Sequence, residues 1–338
     1  MHAAHGTPDG SGTRLLGGLS LAAFFGLAAG CSETPGTVEP LAPVQAVASA
    51  IPDVLAPLGL QTLPGPIPTY YSPGYGERAE ALQTWLRDAD AFFRDRLRVT
   101  PEIHLAVLSP EHWPAVSMGP YGVPFVPPLS PGDLSQVPRM VVMPAVPEQA
   151  VVTQIYTAAQ GALPPHAAAE LEALGISYEE AVLQLLDLIG FHEVGHAYIA
   201  ALGYHRDNTA RWLEELLATY AAYSYLDLVQ PSAITVWDAL SEALLGFVPP
   251  VSRSLDDFNA LYIQGLGPAT YGWFQSHFNL RATVVLKHRP RATWFGQLAG
   301  LGLDADTRAV PTSELLRRLR GFNPGFTAWA DAAGLEYE

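Results

Sequence analysis

The chain has 338 residues, of which 49% are hydrophobic and 15% charged, and a formal net charge of −15. That length and apolar content suffice to bury a core and exclude a mainly disordered chain. The acidic balance argues against nucleic acid or an anionic membrane surface as the main partner, and the single cysteine excludes a disulfide framework or a Cys-rich zinc cluster.

Residues 1–14 are polar and end at Arg14, and an uncharged apolar run of 15 residues follows, Leu15 to Ala29. The run is short for a bilayer span and matches the core of a signal peptide. It closes on Ala28-Ala29-Gly30, directly before Cys31. This order resembles a bacterial lipoprotein signal. The resemblance implies a signal peptide over 1–30, a lipidated Cys31, and a lipid-anchored protein on the extracytoplasmic side of the bacterial cell envelope. Ala28 stands where that pattern usually has Leu, and ordinary secretion with an incidental thiol is the alternative. Nine prolines fall within residues 31–74. Proline at that density opposes helix and central strand, so 31–75 is expected to be a Pro-rich tether. Its apolar stretch from Val44 to Leu60 could instead pack on the domain.

The remaining residues, 76–338, read as one domain. Apolar positions at helical spacing predict a helix from about Glu77 to Leu97. Ile103–Leu108 reads as a strand, a Pro- and Gly-rich loop runs from Ser109 to Pro138, and Arg139–Pro144 reads as a second strand. Proline at both ends suits an edge strand. From about Tyr178 the pattern is helical, broken at Gly203, Pro231, Pro249-Pro250, Pro268 and Pro290. The fold class expected is α+β: a sheet-containing part over about 76–175, then a helical part over about 176–338.

His192-Glu193-Val194-Gly195-His196 falls inside one of these helices. Ser177 and Glu180 form a capping box at its start and Gly203 is a suitable stop. His192 and His196 lie only ~40° apart around the helix, on the same stripe as Leu185, Leu188, Ile189 and Ile199. Two histidines one turn apart can direct ring nitrogens at one zinc ion, with Glu193 within reach of water there. Eighteen residues separate His196 from Glu215, which lies in the helical stretch from Trp212 to Tyr220. A glutamate on a buried stripe is costly without a partner, and a metal shared with the histidines supplies one. Glu214 is the alternative third ligand. A buried histidine pair satisfied by Glu215 without metal is the plainer reading.

His-Glu-x-x-His, 18 residues, then Glu in a Trp-x-x-Glu-x-x-Ala-x-Tyr context resembles the gluzincin metallopeptidases, the clan of aminopeptidase N and thermolysin. The resemblance implies a zincin-like fold with an active-site cleft between a mixed sheet and the helical half. It implies one Zn2+ per chain held by His192, His196 and Glu215, with Glu193 as general base and a peptide or protein substrate. It also implies that the Arg139–Pro144 strand pairs with extended substrate. An oxyanion donor is expected downstream of the third ligand. Tyr271 is the first choice, followed by Tyr262 and His277. Thr219, one turn after Glu215, is a candidate hydrogen-bond partner for a ligand. Leu216 replaces the Gly common after the third ligand in the aminopeptidase branch, and no Gly-x-Met-Glu-Asn stretch is present. Ile199 and Leu202 occupy the positions where a metzincin carries Gly and its third His. Two other functions fit the same residues: a catalytically idle zincin-fold binding lipoprotein, and a zinc hydrolase of a non-peptide amide. Neither substrate preference nor oligomeric state follows from the sequence.

Overall fold

Prolines and glycines cut the first half of the chain into short segments, and long apolar helices fill the second. The computed structural model describes residues 51, 55–117, 119–127, 138–204, 209–261, 267–288, 295–297, 303 and 306–337. Cys31, the signal-like segment, Tyr262 and the loop 205–208 lie outside the described residues. Four strands form one mixed sheet: β1 (Gln61–Leu63), β2 (Thr69–Tyr71), β3 (Ile103–Leu108) and β4 (Arg139–Pro144), in that spatial order. β1 pairs antiparallel with β2, and β2, β3 and β4 run parallel. Helix α1 (Gly76–Leu97) connects β2 to β3.

β3 and β4 are apolar without alternation because both faces of the sheet are covered. Leu105, Val107, Val141 and Met143 join the main core, whereas Ala106, Leu108, Met140 and Val142 pack with Ile51, Leu55 and Trp113 in a second cluster. The proline-rich segment is thus not wholly a tether. Ile51 and Leu55 are buried, and residues 61–63 and 69–71 are strands. Strands of three residues fit between the prolines at 57, 64, 68 and 73, which limit their length without preventing pairing.

Beyond β4 the described helices are α2 (Val151–Ala158), α3 (Pro165–Ala173), α4 (Tyr178–Ala201), α5 (Arg211–Val229), α6 (Pro231–Phe247), α7 (Leu255–Leu261), α8 (Gly267–His288), α9 (Thr312–Leu319) and α10 (Phe326–Ala332). The class is therefore α+β, as expected. None of the described helices is long and apolar enough to cross a membrane. Arg78 on α1 pins α4 to the sheet, donating to Asp187 (2.5 Å) and to the Pro144 carbonyl (2.9 Å). The Tyr198 hydroxyl of α4 reaches Asp90 on α1 at 2.6 Å.

β4 ends the strand order, yet its outer edge is not open. Val142 exchanges both main-chain hydrogen bonds with Phe125, at 2.9 and 3.3 Å. Phe125 pairs antiparallel with it, so at Val142 the groups that an extended substrate needs are already taken. An extended substrate along Arg139–Pro144 would therefore be interrupted at Val142.

Candidate metal centre

Helix α4 begins at the expected capping box. Ser177 Oγ accepts from the Glu180 N–H (3.2 Å), and Glu180 accepts from the Ser177 N–H (2.8 Å). It ends before Gly203, whose φ of +96° suits a residue without Cβ. Within it, Gly195 permits close contact with α5: a Cβ there would stand 2.7 Å from the Ala218 carbonyl oxygen. This lets side chains from the two helices meet.

They meet at three expected ligands. His192 is 3% exposed and Glu215 1%, while His196 is half-buried. His192 Nε2 stands 3.1 Å from Glu215 Oε2, His196 Nε2 3.5 Å from the same oxygen, and the two Nε2 atoms are 2.9 Å apart. Tetrahedral ligands at about 2.0–2.2 Å from one ion stand roughly 3.3–3.5 Å apart. The observed separations of 2.9, 3.1 and 3.5 Å reach that range at one pair and fall 0.2–0.4 Å short of it at the others, so the His192, His196 and Glu215 group could hold a metal ion after a small outward adjustment.

Further side chains hold these ligands in place. Thr219 Oγ1 lies 3.2 Å from His192 Nδ1. Glu214 lies on the other side, 3.6 Å from His196 Nδ1, and accepts from Arg211 at 2.8 Å. The alternative third ligand is therefore a neighbour of His196 Nδ1, while Glu215 faces the two Nε2 atoms. The Tyr271 hydroxyl on α8 donates to Glu215 Oε2 at 2.9 Å, which brings the first-choice oxyanion donor to the cluster. His277 is instead packed against Trp273, with ring centroids 4.3 Å apart. Burial, aided by the Arg253 charge, pulls it down to about 4. Sequence reasoning missed the roles of Glu214, Arg211 and Gln275, which lies 2.7 Å from Thr219. The i, i+3 spacing of Arg211 and Glu214 was a usable signal, whereas Gln275 carries none.

The electrostatics follow from burial opposed by neighbours. Burial pushes the Glu193 carboxyl up, against the pull of His192 and His196. Burial also disfavours charge on Glu215, yet the His196 charge beside it holds its carboxyl well below the carboxylate range. His196 is the mirror case: burial opposes its charge, but Glu215 and Glu214 hold it well above the histidine range. The result is a buried anion facing two imidazoles, with a second carboxylate, Glu193, one residue from His192.

Comparison with protein-family models, curated proteins and solved structures finds no match.

Proposed function

We propose that this chain is a membrane-tethered, extracytoplasmic zinc metallopeptidase of gluzincin type, on a zincin-like architecture with its cleft between 76–175 and 176–338. The observation that carries this reading is the buried His192, His196 and Glu215 group beside Glu193. Zinc bound by these three side chains supplies Lewis acidity toward water and the scissile carbonyl. Glu193 is not needed as a ligand. Its carboxylate takes a proton from the attacking water and passes it to the leaving amine. The Tyr271 hydroxyl, now donated to Glu215, is the donor for the developing oxyanion. Glu214 and Thr219 orient the two imidazoles. Lipidated Cys31 and the following segment hold the domain at the envelope.

The test is zinc content together with cleavage of a broad peptide library. Wild type is expected to hold one zinc ion and to cleave. Glu193→Gln should keep the zinc while cleavage falls by about 10²–10⁴, and Tyr271→Phe should lose on the order of 10²–10³. Zinc binding without cleavage of any peptide favours the idle scaffold, and turnover of non-peptide amides alone favours the third function. No zinc in wild type ends the reading. Separately, Cys31→Ser should release the protein from the membrane fraction. An unmodified Cys31 in a soluble protein ends the lipoprotein assignment.

A further inference from the structure

A line of buried polar side chains leads away from His192 into the helical half. The Gln275 side-chain amide on α8 lies 2.7 Å from Thr219 Oγ1 and 3.0 Å from the Asn279 amide. Which atom faces which is decided at the far end. An indole N–H only donates and a main-chain carbonyl only accepts. Asn279 touches one of each: Trp237 Nε1 at 2.9 Å and the Gln275 main-chain oxygen at 3.1 Å. It must therefore present Oδ1 to Trp237 and Nδ2 to Gln275. Ser241 Oγ, 3.0 Å from that Oδ1, has one proton and turns it to Asn279 from the Trp237 carbonyl, 2.8 Å away, which keeps its place as a helix acceptor.

The polarity then propagates. Asn279 Nδ2 donates, so the Gln275 atom 3.0 Å away must be Oε1. That atom is also the one 2.7 Å from Thr219 Oγ1. The separation is usual for O–H···O and short for N–H···O. Thr219 has one proton, and it goes to Gln275. Toward His192 Nδ1, 3.2 Å away, Thr219 then offers only a lone pair. A neutral imidazole then carries its proton on Nδ1, and its Nε2 lone pair accepts from His196 Nε2, 2.9 Å away, while Glu215 Oε2 accepts from the Tyr271 hydroxyl.

We propose that Gln275 is a positioning residue that, with Asn279 oriented by Trp237, makes Thr219 an acceptor and so locks His192 in the tautomer able to ligate through Nε2. This rests on the reading of His192 as a metal ligand. Gln275 acts through Thr219 and touches no reacting atom. The outer partners of ligating histidines are typically worth 10–100-fold in metal affinity, and Gln275 stands one step further out.

The test compares wild type with Gln275→Glu, which offers only acceptors, and Gln275→Met, which offers none. In metal-free protein labelled with 15N at histidine, at a pH where His192 is neutral, long-range 1H–15N correlations read the tautomer. Competition against a chromophoric chelator reads zinc affinity. Wild type should show Nδ1–H. Gln275→Glu should keep that tautomer and hold zinc affinity within about twofold, while Gln275→Met should show mixed tautomers and bind zinc about tenfold more weakly. Nε2–H in wild type overturns the proposal, and so does a Gln275→Glu variant that is folded yet as weak as Gln275→Met. The wild-type measurement decides even if a variant does not fold. If wild type shows Nδ1–H but binds no zinc, the metal reading falls and the hydrogen-bond polarity stands.

Discussion

Glu215 on α5 and Asp238 on α6 are both carboxyl groups set between helices, but their partners differ. Glu215 faces His192, His196 and the Tyr271 hydroxyl, and it is held well below the carboxylate range. Asp238 accepts from the Tyr223 and Thr283 hydroxyls at 3.0 and 2.7 Å. Burial pushes it up to about 7. Hydroxyl donors stabilise a buried anion but do not offset its desolvation, whereas an imidazolium does. The Glu215 region keeps its negative charge and surrounds it with ring nitrogens, while the Asp238 region gives its charge up near neutral pH.

Removing either carboxylate gives the sharpest contrast. Glu215→Ala should abolish zinc binding, whereas Asp238→Asn should leave one zinc per chain, both read by elemental analysis. Zinc retained in Glu215→Ala removes Glu215 as a ligand.

The second contrast is in pH. The pKa of Asp238 is raised on folding, so between about pH 4 and 7 the native state binds more protons than the unfolded one, and stability falls as pH rises through that window. The loss amounts to at most roughly 4 kcal/mol above pH 7. Thermal unfolding of metal-free protein from pH 4 to 8 should show Asp238→Asn gaining on wild type as pH increases. A constant difference between the two removes Asp238 as the source.

A smaller effect is expected from Glu214→Ala. It leaves all three ligands but removes the carboxylate beside His196 Nδ1, and zinc affinity should fall by about 10–100-fold. An unchanged affinity means Glu214 only neutralises Arg211.

Much of the candidate site was legible because it obeys local rules. The capping box at Ser177, the stop at Gly203, the i, i+4 histidines and the stripe bearing Glu215 and Thr219 all follow from helical spacing, and the cluster forms where that spacing directs it. Ile103–Leu108 and Arg139–Pro144 are strands as read. What escaped depends on contacts between segments far apart in sequence. Gln275 reaches Thr219 across 56 residues. Asp238 meets Thr283 across 45. No periodicity encodes those pairings. β1 and β2 escaped for another reason: strands of three residues leave almost no pattern, and proline dominates the composition around them.

The fold-back of Phe125 onto Val142 also bears on self-association. Met140-Val141-Val142-Met143 is a short, uncharged, apolar run of strand-forming character, the type of segment that stacks into fibrils when its edge is free. Phe125 covers that edge midway, and Pro124 and Pro127 flank it with residues that have no N–H to offer a further strand. At Val142, then, the edge of the sheet has no free main-chain pair to offer a further strand.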